Sequence, residues 1–308
     1  MKKILLSVAA LLTAAAFASA QNMADATEIA KLANESLSAG ALTTALDGFK
    51  DALKAAEACG EEGEELVATC KGIIPQVMLS IAKKDFNAKD YAAAIDKFNE
   101  ASAVAAEYGN DAVVAEVAKA LPSAYLGNGN NLLAAKDFDG AVAAYDKVLE
   151  ADPANGSAAF KKGEALRSAG KNAEAIEAYK LAAANGQEKN ANTRLGSIYL
   201  TNAQNALKAK KYADAVKDAL ESYEYNQNPS AYQIAGMASQ NAGKVSDAIG
   251  YFEKYLEEAP AAKNAGQIAY TVGALYQNAK NNAKAKEFFQ KAVDLGYADA
   301  KKALDAVK

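Results

Sequence analysis

Hydrophobic and small residues recur along most of the chain at the spacing of one helix face. An alanine is followed four residues later by an aromatic residue and three further on by a mostly small one, so all three share a face. Six of the seven copies have an aromatic residue in the middle, which predicts helices that each bury one ring. The seven copies are Ala45/Phe49/Ala52, Ala94/Phe98/Ala101, Ala141/Tyr145/Val148, Ala175/Tyr179/Ala182, Ala215/Ala219/Ser222, Ala248/Phe252/Tyr255 and Ala285/Phe289/Ala292.

A second small residue stands twelve positions before the first alanine of every copy. A small residue on a helix allows the neighbouring helix to cross closely. We therefore expect each copy to be a pair of helices, with the small residue on the first helix and the aromatic residue on the second. The small residues are Ala33, Ala82, Gly129, Gly163, Ala203, Gly236 and Gly273.

These features together resemble the tetratricopeptide repeat, whose unit of about 34 residues pairs two antiparallel helices with this signature. The resemblance covers residues 24–296 and implies an all-α fold, a right-handed superhelical solenoid of about seven helix pairs. Intervals between the first alanines are 49, 47, 34, 40, 33 and 37 residues, so the first two intervals contain extra residues. A short amphipathic stretch near residues 298–308 is expected to form a capping helix.

The extra residues are themselves helical in pattern. We expect them to lengthen the first helices of the second and third repeats, to about residues 60–86 and 109–135. Proline removes a helical N–H, so these helices are predicted to be kinked or broken at Pro75 and Pro122. The other prolines fall at junctions between predicted helices, which supports the repeat boundaries. They are Pro153, Pro229 and Pro260.

Residues 1–20 have the pattern of a cleaved signal peptide rather than of the fold. Two lysines precede an apolar run of about 14 residues, too short to span a bilayer, and the small-residue motif Ala18-Ser19-Ala20 follows. Cleavage would leave a mature chain of residues 21–308 that starts at Gln21. No cysteine lies near this junction. We expect a periplasmic or secreted protein without lipid attachment and without a transmembrane segment after cleavage.

Composition excludes several classes of function. Lys and Arg number 34 against 38 Asp and Glu, so a nucleic-acid partner is not expected. The chain has no histidine, which removes the commonest general base and metal ligand. The acidic run from Glu61 to Glu65 is better explained as the start of a helix than as a cation site. We predict no enzyme activity, no catalytic residue, no metal and no cofactor.

Cys59 and Cys70 are the two cysteines of the chain. An even number of cysteines in an exported protein favours a disulfide between the end of one helix and the start of the next. The alternative is two free thiols that pack as small apolar side chains.

The resemblance to tetratricopeptide repeats also implies a concave groove lined by first-helix residues. These side chains form a mixed apolar and amide surface, which suits the backbone of an extended peptide. The alternative for the apolar members is packing against adjacent repeats. We therefore expect an exported scaffold that binds a protein or peptide in the cell envelope, or else an accessory protein that binds peptidoglycan, glycan or outer-membrane components. The candidate groove residues are Asn130, Leu133, Phe160, Glu164, Arg167, Leu200, Gln204, Gln233, Met237, Gln240, Tyr270 and Gln277.

Overall fold

The structure is a computed structural model that describes residues 23–307. The predicted signal peptide and its cleavage site lie outside the described residues. Within them the chain forms α-helices joined by short turns, and no β-strand. The α-helices are α1 (Met23–Ser38), α2 (Leu42–Glu57), α3 (Glu64–Asn87), α4 (Tyr91–Glu107), α5 (Asp111–Ala134), α6 (Phe138–Ala151), α7 (Gly156–Ser168), α8 (Asn172–Ala182), α9 (Glu188–Lys208), α10 (Tyr212–Asn226), α11 (Ser230–Asn241), α12 (Val245–Glu258), α13 (Ala265–Asn278), α14 (Asn282–Asp294) and α15 (Ala300–Ala306).

The predicted repeat is confirmed by the burial of its defining residues. All 21 residues of the alanine–aromatic–small pattern are buried, on the second helices α2, α4, α6, α8, α10, α12 and α14. The seven small residues of the first helices are buried as well. The chain is therefore an all-α stack of helix pairs, because each amphipathic face is covered only by its neighbours.

The turn inside each helix pair has the same conformation in all seven repeats. The second residue after the first helix adopts a positive φ, and the N–H of the next residue bonds to a carbonyl five residues earlier. This is the Schellman arrangement that ends a helix and satisfies its last carbonyls. Glycine fills the positive-φ position in three turns and lysine in four: Gly40, Lys89, Lys136, Gly170, Lys210, Gly243 and Lys280.

The chain divides into two compact units, with the boundary between Ala165 and Leu166. We call the unit before this boundary unit 1 and the unit after it unit 2. The sequence predicted one continuous solenoid. Repeat arrays need no single compact body, because each repeat is stabilised by contacts with its neighbours only. In unit 2 the short helix α15 packs against α14 and buries Ala300.

The two extra segments lengthen helices α3 and α5, each of 24 residues. A 3-10 turn, Gly60–Gly63, precedes α3. Both helices continue through their internal prolines, Pro75 and Pro122, so of the two predicted outcomes, a kink or a break, the break does not occur. Neighbouring helices hold the chain in place: α3 packs against α2, α4 and α5, and Pro75 is itself buried.

One segment of the described chain, Gly60–Asn87, is long and apolar enough to cross a membrane by length and composition alone. The sequence analysis expected no such segment after the signal peptide. A core helix has the same composition, and the apolar residues of α3 pack inside unit 1. Ile74, Val77 and Leu79 are each at most 4% exposed within a cluster that also contains Phe49 and Phe98.

The structure leaves both cysteines as free thiols, contrary to the predicted disulfide. The thiol of Cys59 donates a hydrogen bond of 3.3 Å to the carbonyl of Ala55. Cys70 is fully buried in the core of unit 1. Burial raises the pKa of the Cys70 thiol to about 11, so it packs as a small neutral side chain.

Candidate functional site

All twelve predicted groove residues lie on first helices, on α5, α7, α9, α11 and α13. None of the twelve is fully buried. We call this set the first-helix face. First helices of adjacent repeats pack on each other at α1 and α3, at α3 and α5, and at α9 and α11. Of these pairs, only α9 and α11 both carry residues of the face, so the face is continuous between these two repeats of unit 2.

In unit 1 the residues of α5 are already engaged in packing. The hydroxyl of Tyr145 donates a hydrogen bond of 2.9 Å to the side-chain oxygen of Asn130. Leu133 packs against a small core that includes Tyr145 and Ala141. Burial raises the pKa of Tyr145 to about 12, so this hydroxyl stays protonated as a donor. The predicted binding role of Asn130 thus competes with a structural one.

Helix α7 carries three further residues of the face, Phe160, Glu164 and Arg167. Phe160 and Glu164 are partly exposed and Arg167 is exposed. Each makes a polar, ring or electrostatic interaction with another residue of the chain. The boundary between the two units falls within this helix, so Phe160 and Glu164 belong to unit 1 and Arg167 to unit 2.

In unit 2 the face has the mixed character that the sequence predicted. Gln204 on α9 and Gln240 on α11 are exposed, and α9 packs against α11. Met237 lies between these amides in sequence and is 38% exposed. Within the described chain, the side-chain amides of Gln204, Gln233, Gln240 and Gln277 form no side-chain hydrogen bond. Their donors and acceptors are therefore available to a ligand.

The apolar members of the unit 2 face are more deeply packed than the amides. Leu200 lies against the core formed by Ala203 and Ile234. The ring of Tyr270 lies 5.4 Å from that of Phe289 and 5.1 Å from that of Tyr297, measured between centroids. Leu200 and Tyr270 are therefore partly buried by core packing. This agrees with the alternative that the apolar members of the face pack against neighbouring residues of the protein.

Gly129 and the acidic run from Glu61 to Glu65 have the structural roles that the sequence predicted. A Cβ on Gly129 would come within 2.7 Å of the Tyr145 ring, so this glycine is required for packing. The acidic run lies in the first turns of the 3-10 helix and of α3, where carboxylates stabilise the exposed N–H groups.

Sequence reasoning missed a set of residues beside the lengthened helices. Lys71, Tyr108 and Asn110 line a cavity in unit 1 that the standard repeat does not contain. The sequence signal for these residues is that the two extra segments occur in successive repeats, where they can lie next to each other.

Two tetratricopeptide-repeat family models match residues 126–190 and 266–295. Among solved structures, the chain is similar to MamA, at 25% identity over 59% of this chain and 96% of that chain, with a TM-score of 0.36. It is also similar to YrrB, described as a TPR protein with an unusual peptide-binding site, at 25% identity, 59% and 90% coverage and a TM-score of 0.33. No curated protein sequence gave a match.

Stacked antiparallel helix pairs with a fixed small-residue and aromatic pattern define an α-helical repeat protein. The first match, residues 126–190, includes residues on both sides of the unit boundary, and the second, residues 266–295, lies in unit 2. Residues 126–190 and 266–295 match tetratricopeptide-repeat models, and the helix pairs of the described chain carry the same buried alanine–aromatic–small pattern.

Proposed function

We propose that this protein is a non-enzymatic, exported scaffold that holds an extended peptide segment of a protein partner on the first-helix face of unit 2. Repeat proteins of this kind use the extended surface made by their stacked helices for binding. The observation that carries the proposal is the set of exposed, unpaired amides on the packed helices α9 and α11. An amide both donates and accepts, as a peptide backbone does.

The neighbouring side chains fit the same role. Met237 is flexible and apolar, and it adapts to partners of different shape. Arg167, on the part of α7 that belongs to unit 2, contributes a planar, positively charged group. Arginine is a common anchor residue at binding interfaces. The histidine-free composition supports a binding role rather than catalysis.

Binding through this face is tested by paired variants and pull-down from a periplasmic extract. We expect wild-type protein to enrich one defined protein, and Gln204→Ala with Gln240→Ala to weaken its capture by about tenfold, since the lost amides leave backbone groups of the partner unpaired. A matched control replaces two exposed second-helix residues, Lys217→Ala with Glu257→Ala, and should leave capture unchanged.

Other outcomes of the same experiment contradict the proposal. Equal capture by both double variants would place the binding surface elsewhere. Retention on isolated cell-wall sacculi with no protein partner would support the alternative, an accessory protein of the peptidoglycan or outer membrane.

The proposed export rests on the N-terminal pattern and has its own test. Cleavage after Ala20 predicts that protein purified from its native compartment begins at Gln21. Intact-mass measurement checks this, and the full precursor mass of 32.0 kDa would contradict it.

A further inference from the structure

Both extra segments of unit 1 meet at one cavity. It has a volume of about 660 Å³ and lies between the N-terminal half of α3 and the turn that joins α4 to α5. Residues 60–72 form one wall and residues 108–112 form the other. The size is that of ordinary ligand pockets, which measure roughly 300–1,000 Å³. The two extra segments therefore form a cavity that a repeat of standard length does not have.

Gly72 indicates that this space is kept open. It stands inside helix α3, where glycine weakens the helix relative to alanine. Its φ is not positive, and a Cβ built on it would meet no atom of the surrounding structure within 4 Å. Neither backbone conformation nor close packing requires a glycine here. A side chain at this position would instead project into the cavity that Gly72 lines.

Asn110 fixes the two walls relative to each other. Its side-chain oxygen accepts the N–H of Val113 at 3.2 Å and so caps helix α5. Its side-chain nitrogen donates a hydrogen bond of 3.2 Å to the carbonyl of Gly72. One amide therefore holds the start of α5 against the middle of α3, and the cavity is a preformed part of the fold.

Carboxylates dominate the charge of this cavity. Glu64 and Asp111 line it and are exposed. Lys71, the one cation among the lining residues, lies 3.7 Å from the carboxylate of Glu57 and 5.6 Å from the centroid of the Tyr108 ring. Its charge is already balanced within the protein.

The raised pKa of Tyr108 is consistent with a negative electrostatic potential in this cavity. Burial raises the pKa of its hydroxyl, and the carboxylates of Glu107 and Glu57 raise it further. The carboxylates that disfavour a negative charge on Tyr108 also attract a positively charged ligand.

We propose that this cavity binds a basic peptide segment, with an arginine or lysine side chain placed beside Glu64 and Asp111. The negative charge supplies complementarity, and the glycines and alanines of both walls leave room for the aliphatic stem of the bound side chain. The site goes beyond the proposed function, because it lies in unit 1 and uses none of the residues of the first-helix face.

Fluorescence anisotropy with labelled peptides tests this proposal on the full mature chain. The probe is fluorescein-labelled Ala-Arg-Ala-Arg-Ala, and the matched neutral peptide is Ala-Gln-Ala-Gln-Ala. We expect saturable binding of the arginine peptide only, weakened by added salt because the attraction is between charges. Gly72→Leu should occupy part of the cavity and weaken binding by about tenfold, whereas Gly250→Leu, at an exposed helical glycine with equally open space in unit 2, should not.

A second variant keeps the test valid if Gly72→Leu fails to fold. Glu64→Gln with Asp111→Asn preserves the shape of the cavity and should weaken the arginine peptide by a similar factor. The proposal is overturned if wild-type protein does not bind the arginine peptide, if both peptides bind equally, or if folded cavity variants bind as wild type does. These results are independent of the α9 and α11 variants that test the proposed function.

Discussion

In two repeats of unit 2, a glycine on the first helix lies directly against an aromatic ring on the second helix. A Cβ on Gly236 would lie 2.6 Å from the Phe252 ring, and one on Gly273 would lie 2.7 Å from the Phe289 ring. Both rings are about 1% exposed and cannot move outward without losing core contacts. The helices can pack at this distance only because glycine has no side chain.

We predict that Gly236→Ala lowers the free energy of unfolding by about 1–3 kcal/mol, because the added methyl overpacks against Phe252. The matched control is Gly250→Ala, at a helical glycine whose Cβ would meet nothing within 4 Å. That variant should gain up to about 1 kcal/mol, since alanine favours the helix. Urea denaturation of both variants measures the difference, and equal effects would refute the packing role of Gly236.

The buried hydroxyl of Tyr145 makes stability depend on pH in the alkaline range. Its folded pKa is raised to about 12, above the ordinary value of about 10. The folded protein therefore keeps a proton that the unfolded chain loses, so this contribution is complete below pH 10 and is lost as the pH rises towards 12.

Tyr145→Phe removes both the titration and the hydrogen bond to Asn130. We predict that the variant is less stable than wild type by about 1 kcal/mol at neutral pH. Its disadvantage should shrink between pH 10 and 12, because only wild type loses the tyrosine contribution. Urea denaturation at pH 8 and pH 11 checks this, and a constant difference would contradict the assignment.

At the scale of the helix pair, the turn is the most regular element, yet lysine occupies its positive-φ position in four repeats. A residue with a Cβ is strained in the left-handed region, whereas glycine is not.

We predict that Lys210→Gly raises the free energy of unfolding by about 0.5–1 kcal/mol. The reciprocal change Gly243→Lys, in the equivalent turn of the next repeat, should lower it by a similar amount. Thermal or urea unfolding that moved both variants in the same direction would contradict this account.

Asn110 links two elements, and its loss should cost more than the loss of a simple helix cap. Asn281 caps α14 through the N–H of Lys284 and makes no second side-chain bond among the described residues. Removing a cap costs about 1 kcal/mol, and the bond from Asn110 to the Gly72 carbonyl adds about another. We therefore expect Asn110→Ala to destabilise by about 1 kcal/mol more than Asn281→Ala in urea denaturation. Equal losses would show that the bond to Gly72 contributes nothing.

Sequence periodicity predicted the helix pairs well because each buried position, such as Phe98 or Tyr179, is dictated by its own helix and its nearest neighbour. It did not predict the lysine turns, since lysine carries no signal for a positive φ. The alternative of a break at Pro75 was wrong, because packing of α3 against α1, α2, α4 and α5 outweighs a local preference. The disulfide was wrong for a similar reason: spacing along the chain does not determine the distance between Cys59 and Cys70.

The candidate site was predicted in outline only. Placement on the first helices follows from the repeat, and the exposed amides of unit 2 agree with the expectation. The partner of Asn130 could not be foreseen, because it depends on how far the Tyr145 hydroxyl reaches across the helix pair. The cavity beside Gly72 depends on contacts between two extra segments, and no periodic pattern describes these.

At the scale of the whole molecule, we propose that a protein partner binds to the first-helix face of unit 2. A photo-reactive amino acid placed at Gln240 tests this face directly. The matched control places it at Glu257, on the second helix of the same repeat. Both positions are exposed, so neither replacement disturbs the core.

The decisive measurement is cross-linking of both proteins in extract from the native compartment, followed by electrophoresis and mass spectrometry. We predict one defined protein adduct from position 240 and none from position 257. An adduct only from position 257, or none from either position in extract where the wild-type protein captures its partner, would contradict the assignment of the first-helix face as the binding surface.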